Sequence, residues 1–207
     1  MILCWSVKGG SGTTVVAAAL ATLLARRAAA WFVDLAGDGP AVFGMAPGVD
    51  STGVHEWMTS AVATGESFER LGLAVVDGLQ MVPRGGALVQ ERWSELADVL
   101  AQRRCVVDAG LGSPPAVLAA AADQSLLVTR ACFLALRRAV TTAVRPTGVV
   151  LVAEPGRALT AADVEAVVGA PVVARVSIDP SVARVVDSGT LGLRLPRGLA
   201  RQLHALT

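Results

Sequence analysis

An apolar run, Ile2-Leu3-Cys4-Trp5-Ser6-Val7, leads into Lys8-Gly9-Gly10-Ser11-Gly12-Thr13-Thr14, and this glycine loop opens onto a long helix-like stretch from Thr14 to Arg27. Strand, glycine loop and helix in that order form the setting of a phosphate-binding turn. Three glycines let the backbone approach an anion without a Cβ in the way, and the helix aims its free N–H groups and positive dipole end at the same point. Lys8 is the only lysine in the chain, and the other seventeen basic residues are all arginine. An ammonium is a compact point charge that fits among phosphate oxygens where a planar guanidinium fork does not. The segment reads as a nucleotide phosphate loop, with Lys8, Gly9, Gly10, Ser11, Gly12, Thr13 and Thr14 as its binding residues.

Strand-like and helix-like segments alternate to the end of the chain. Trp31-Phe32-Val33 ends at Asp34, shorter helices follow between Pro40 and Phe68, and Leu73–Val76 and Leu79–Val82 form two short β runs around Asp77-Gly78. A helix is expected from Leu88 to Gln102, a strand at Cys105-Val106-Val107-Asp108, a helix near Ala116 to Ala122 and a strand at Leu126-Leu127-Val128. Helices Phe133–Ala143, Ala161–Val168, Val182–Val186 and Leu199–Leu206 then alternate with strands Val149–Val152 and Val172–Val176. The pattern predicts a single α/β domain over residues 1–207, a doubly wound, mostly parallel sheet flanked by helices with the loop at its carboxyl edge. A composition 53% hydrophobic but only 4% aromatic suits parallel strands covered by helices.

A net charge of +1 gives no global field toward nucleic acid or an acidic membrane, so any such contact needs a local patch. Arg130, Arg137 and Arg138, and then Arg184, Arg194, Arg197 and Arg201, are the candidates for a DNA-facing surface. Leu199, Leu203 and Leu206 share one face of the last helix, either as a membrane-touching tail or as a helix docked on the core. Cys4, Cys105 and Cys132 lie in apolar stretches without ligand spacing and read as reduced thiols of a cytoplasmic protein. His55 and His204 have no cysteine or carboxylate at ligand spacing, so no histidine-based chemistry is expected.

The loop resembles that of the ParA/MinD family of deviant P-loop ATPases, KGGxGK followed by Ser or Thr. Lys8 matches the family's signature lysine, which reaches across a dimer to the partner's nucleotide, and Gly9, Gly10, Gly12 and Thr14 match as well. The resemblance implies ATP or ADP with Mg²⁺, a homodimer, and Thr14, Asp34 and Asp108 as metal-side residues, Asp108 at the Walker B position and Asp34 at the first aspartate of the DxD switch. Two positions depart from the pattern. Thr13 stands where the second, phosphate-contacting lysine belongs, and Ala36 where a water-orienting aspartate belongs, with Asp38 two residues on as the possible substitute. Both losses bear on the same transition state, which implies a nucleotide-binding protein that hydrolyses slowly or not at all.

Val176-Ser177-Ile178-Asp179-Pro180 resembles the family's late strand and turn beside the base, making Asp179 and Pro180 the candidate base contacts. The degenerate loop is most similar to the TadZ/CpaE branch, which implies a scaffold that positions pilus (Tad) or secretion machinery, with a polar or membrane-associated location reached through protein partners. An active ATPase of DNA partitioning or septum placement and an interaction module that no longer sees nucleotide are the alternatives.

Overall fold

The computed structural model describes residues 1–46, 48 and 52–207. Its strands are β1 (Ile2–Ser6), β2 (Ala30–Asp34), β3 (Leu73–Val76), β4 (Leu79–Val82), β5 (Cys105–Leu111), β6 (Gln124–Arg130), β7 (Gly148–Ala153) and β8 (Val172–Ser177). They form one sheet in the order β3-β4-β2-β5-β1-β6-β7-β8. Every neighbouring pair is parallel except β3 and β4, an antiparallel hairpin at one edge whose turn uses Gly78 at φ 75°. The expected doubly wound, mostly parallel sheet is therefore the fold.

The helices are α1 (Thr13–Ala25), α2 (Gly39–Val42), α3 (Val54–Thr59), α4 (Gly65–Glu69), α5 (Trp93–Ala101), α6 (Ala116–Ala121), α7 (Phe133–Val140), α8 (Ala161–Val168), α9 (Pro180–Asp187) and α10 (Arg197–Leu203). Side chains alternate across each strand, so β1 sends Leu3 and Trp5 to one face and Ile2 and Cys4 to the other. On the first face these join Trp57, Met58 and Phe68, with Leu96, Leu118, Leu136 and Val164 from α5 to α8. On the second they meet α1, α2 and α10, with α9 packed alongside. Each aliphatic or aromatic side chain fully buried this way contributes about 1.5–3 kcal/mol.

α1 lies over the sheet centre and is apolar on nearly every side, with Val16 to Leu24 all buried. This explains the run of alanines, since small side chains let a helix settle closely on β1 and β5.

One boundary changes, and two open readings are narrowed. α5 begins at Trp93, because Leu88 and Val89 are exposed and contribute no buried stripe. The last helix is no membrane tail: Leu199, Leu203 and Leu206 are 2%, 0% and 8% exposed and sit in the second core. Nor do the arginines make one basic face, since Arg137 and Arg138 are on α7, over the first core, and Arg184, Arg197 and Arg201 on α9 and α10, over the second. Trp57 is core, its Nε1 donating to Thr64 O and Ser67 Oγ. Among the described residues no helix is long and apolar enough to cross a membrane.

Candidate functional site

β1 ends at Ser6, and the chain from there to α1 wraps the rim of an open cavity of about 870 Å³ at the carboxyl edge of the sheet. Gly9, Gly10, Ser11, Gly12, Thr13 and Thr14 line it on one side, Leu35, Ala36 and Asp38 from the end of β2 on another, and Ala109, Gly110 and Leu111 of β5 beneath. Gly10 and Gly12 hold φ of 72° and 85°, and a Cβ at Gly9, Gly10 or Gly12 would meet no heavy atom within 4 Å. The loop is thus a cradle open to solvent, shaped by backbone. Gly12 occupies the N-cap of α1 without a side chain to satisfy the first amides, which leaves them for an incoming anion. Ser11 Oγ donates to Lys8 O at 2.6 Å and Arg138 Nη1 donates to Val7 O at 3.3 Å, so the loop is braced from both ends.

Lys8 stands apart from the cavity. Its Nζ donates only a long bond to Gly9 O, 3.5 Å, at the surface, and the residue is not among those lining the pocket.

The two strand-end aspartates face each other in register across β2 and β5 and are both fully buried, yet they do different work. Asp34 Oδ1 accepts from Ala36 N (2.9 Å) and Gly37 N (2.7 Å), and Oδ2 from Gly39 N (2.9 Å). Its carboxylate ties down the loop that carries Ala36 and Asp38. Burial raises its pKa, the three amides oppose the rise, and Asp38 adds to it. Asp34, expected on the metal side, has both oxygens engaged by backbone amides and holds this loop.

Asp108 keeps an oxygen in reserve. Oδ1 accepts from Gly110 N at 3.0 Å, while Oδ2 is buried without a hydrogen-bond partner. Burial pushes its pKa up to about 6; the nearby Thr14 hydroxyl pulls the other way, and Asp34 and Asp38 push up again. An orphaned carboxylate oxygen facing a threonine hydroxyl fits Mg²⁺, which takes one or two protein oxygens and completes its shell with water and phosphate.

Asp38 lines the cavity, exposed, and makes no side-chain cap to α2, so its carboxylate is available there. Ala36 lines the cavity too, its methyl against Gly110. Asp179 and Pro180 do not line it. Asp179 is the N-cap of α9, accepting from Ser181 N at 2.7 Å, and the α9 residues that reach the cavity are Val186 and Asp187. Asp-Pro-Ser is a helix start, and the Asp179 carboxylate caps its own helix, so the two expected base contacts stand outside this cavity.

One cavity residue was not anticipated. Arg84, two residues beyond β4, lines the same pocket, its Nη1 donating to Ala36 O at 2.9 Å. A charged residue just past a strand's carboxyl end, in Val82-Pro83-Arg84-Gly85-Gly86, was the available signal.

Residues 1–110 match the family described as cellulose biosynthesis protein BcsQ. The fold is also that of solved structures of low sequence identity. A ParA family ATPase from Chlorobium tepidum TLS aligns with a TM-score of 0.78 at 18% identity, over 99% of this chain and 98% of that one. MinD of the MinC:MinD cell division complex from Aquifex aeolicus aligns at 0.74 and 16%, over 99% and 94%. The septum site-determining protein MinD with Mg-ADP from Pyrococcus horikoshii OT3 aligns at 0.71 and 18%, over 97% and 91%. Curated proteins gave no match.

Proposed function

The chain belongs to the BcsQ family, with a ParA/MinD-like fold, and from that premise we propose that it binds MgATP or MgADP and acts as a positioning protein with slow or no hydrolysis. The observation that supports this reading is a backbone glycine cradle opening on a cavity at which Thr13 and Ala36 present no charge. The glycine cradle, the uncapped start of α1, Thr14 and the free Oδ2 of Asp108 supply what phosphate and Mg²⁺ require. Thr13 and Ala36 line that cavity where the family resemblance calls for a lysine and an aspartate. Binding needs the first set, whereas turnover needs charge on the terminal phosphate and a held water.

The family's description makes cellulose synthesis the first cargo to test, with the protein acting on the placement of that machinery. A pilus (Tad) scaffold is the second reading, favoured by the loss at Thr13 alone. Titration with MgATP and MgADP, followed by thermal melting and by phosphate release, tests the biochemical half. A Kd of about 10 to 1000 μM with turnover near background is expected. A melting temperature unmoved by millimolar MgATP sinks it in favour of a module that no longer uses nucleotide. Loss of cellulose export on deletion, with pilus assembly intact, would support the cellulose assignment, and the opposite phenotype would support the pilus one.

A further inference from the structure

We propose that Arg84 is the phosphate-binding cation of this cavity, supplying from β4 the charge absent at Thr13 and contacting the terminal phosphate of a bound nucleoside triphosphate. The proposal rests on the nucleotide-binding reading above and assigns a residue to it. Four observations carry it. Arg84 is the only basic residue among the described residues that line the cavity, since Lys8 lies outside. Its Nη1 is anchored on Ala36 O at 2.9 Å, while Nε is buried with no partner and Nη2 makes no hydrogen bond among the described residues. No carboxylate among the described residues forms an ion pair with it. A guanidinium drawn partly out of water without a counter-charge is unfavourable unless something anionic completes it, and its forked donors match phosphate oxygens.

The surroundings are shaped to the side chain. Gly37 holds φ 104°, and a Cβ there would stand 2.9 Å from Arg84 Cζ and Nη1, so the guanidinium crosses the chain where only glycine leaves space. Glu56 fixes the segment behind it, with Oε1 accepting from Gly86 N at 2.8 Å and Oε2 from Gly53 N at 2.7 Å. The direction of approach also follows from topology. β2 and β4 lie beyond β5 from the glycine loop, so Arg84 reaches the cavity from the side of Asp108, opposite β7 and β8. Asp108, whose unpartnered oxygen would hold Mg²⁺, lies on that side.

The test is binding of MgATP, MgADP and AMP to the wild type, Arg84→Ala, Arg84→Lys and the double variant Arg84→Ala/Thr13→Lys, with nucleotide-free melting as the check on folding. Arg84→Ala is expected to weaken MgATP by about ten- to hundredfold and MgADP by less than about threefold, with Arg84→Lys between. Adding Thr13→Lys should recover MgATP binding, which a clamp on the loop alone would not. MgATP affinity in Arg84→Ala within about twofold of a wild type that binds overturns the assignment and leaves the nucleotide reading standing. An equal loss for MgATP and MgADP overturns it as well. A wild type that binds none of the three overturns both. If Arg84→Ala melts too low to titrate, Arg84→Lys decides: ATP weakened with ADP unchanged supports the assignment, and neither changed overturns it.

Discussion

Asp108 holds a carboxylate oxygen without a partner at the buried edge of the sheet, and stability and binding should pull apart when it is neutralised. Its folded pKa, about 6, lies above the ordinary value, so the folded state binds the proton more tightly than the unfolded one. Stability from this group is complete below about pH 4 and is lost as pH rises through 6, amounting to roughly 3 kcal/mol at most. Asp108→Asn should therefore melt higher than the wild type at pH 8, with the gap closing near pH 4, while Mg²⁺ no longer strengthens nucleotide binding; calorimetry and titration check the two halves. Gly12→Val should abolish nucleotide binding, since it puts a branched side chain into the cradle at a φ of 85°. Thr13→Lys combined with Ala36→Asp should raise phosphate release well above either change alone, because both groups would act on one transition state; equal rates in the single and double variants would contradict that. That the glycines, Thr14 and Asp38 gather around one cavity was legible in the sequence, because strand ends and glycine loops have local signatures. The backbone partners of Asp34 and Asp179 were not legible, because a strand-end or turn carboxylate reads the same whether it faces a ligand or its own backbone, and Arg84 was missed because its partner Ala36 is 48 residues away.

At the scale of elements, α10 is where a sequence pattern allowed two outcomes and burial decided. An apolar stripe on a short terminal helix looks alike whether it meets lipid or a neighbouring helix, and only the tertiary contacts with α1 and β8 separate them. Leu203→Ala should cost about 2–5 kcal/mol in chemical denaturation, the range for a fully buried leucine. The same variant should leave vesicle co-sedimentation at the wild-type level; reduced vesicle binding with unchanged stability would restore the membrane reading. Most strands and helices were readable because they are long apolar runs separated by glycine, proline or charge, and the β3–β4 hairpin because Asp77-Gly78 is a turn signal. α5 was overextended for the opposite reason: Leu88 and Val89 are apolar but exposed, and hydropathy alone does not distinguish a helix face from a loop.

For the molecule as a whole, the rim around the cavity is apolar as well as open. Leu111, which lines the cavity at the end of β5, is 63% exposed, and Phe133 and Leu134, opening α7 just past the end of β6, are 70% and 58% exposed, with Lys8 following β1 at the same carboxyl edge of the sheet. Nucleotide should accordingly favour a homodimer across this edge, with Lys8→Ala losing that coupling while keeping its fold. Sedimentation with and without MgATP checks it, and a wild type that binds nucleotide yet stays monomeric at high concentration would rule the arrangement out. The central position of β1 has a consequence for how the chain is made. β1, synthesised before every other strand of this sheet, is hydrogen-bonded on both sides to strands at residues 106–111 and 124–127. At about 5–20 residues per second, roughly 5 to 25 seconds separate its appearance from that of its second neighbour. Through that interval α1, apolar on almost every side, has no sheet to cover, so the nascent chain is a natural client for a chaperone at the ribosome, and its yield should depend on that help more than the stability of the finished protein would suggest.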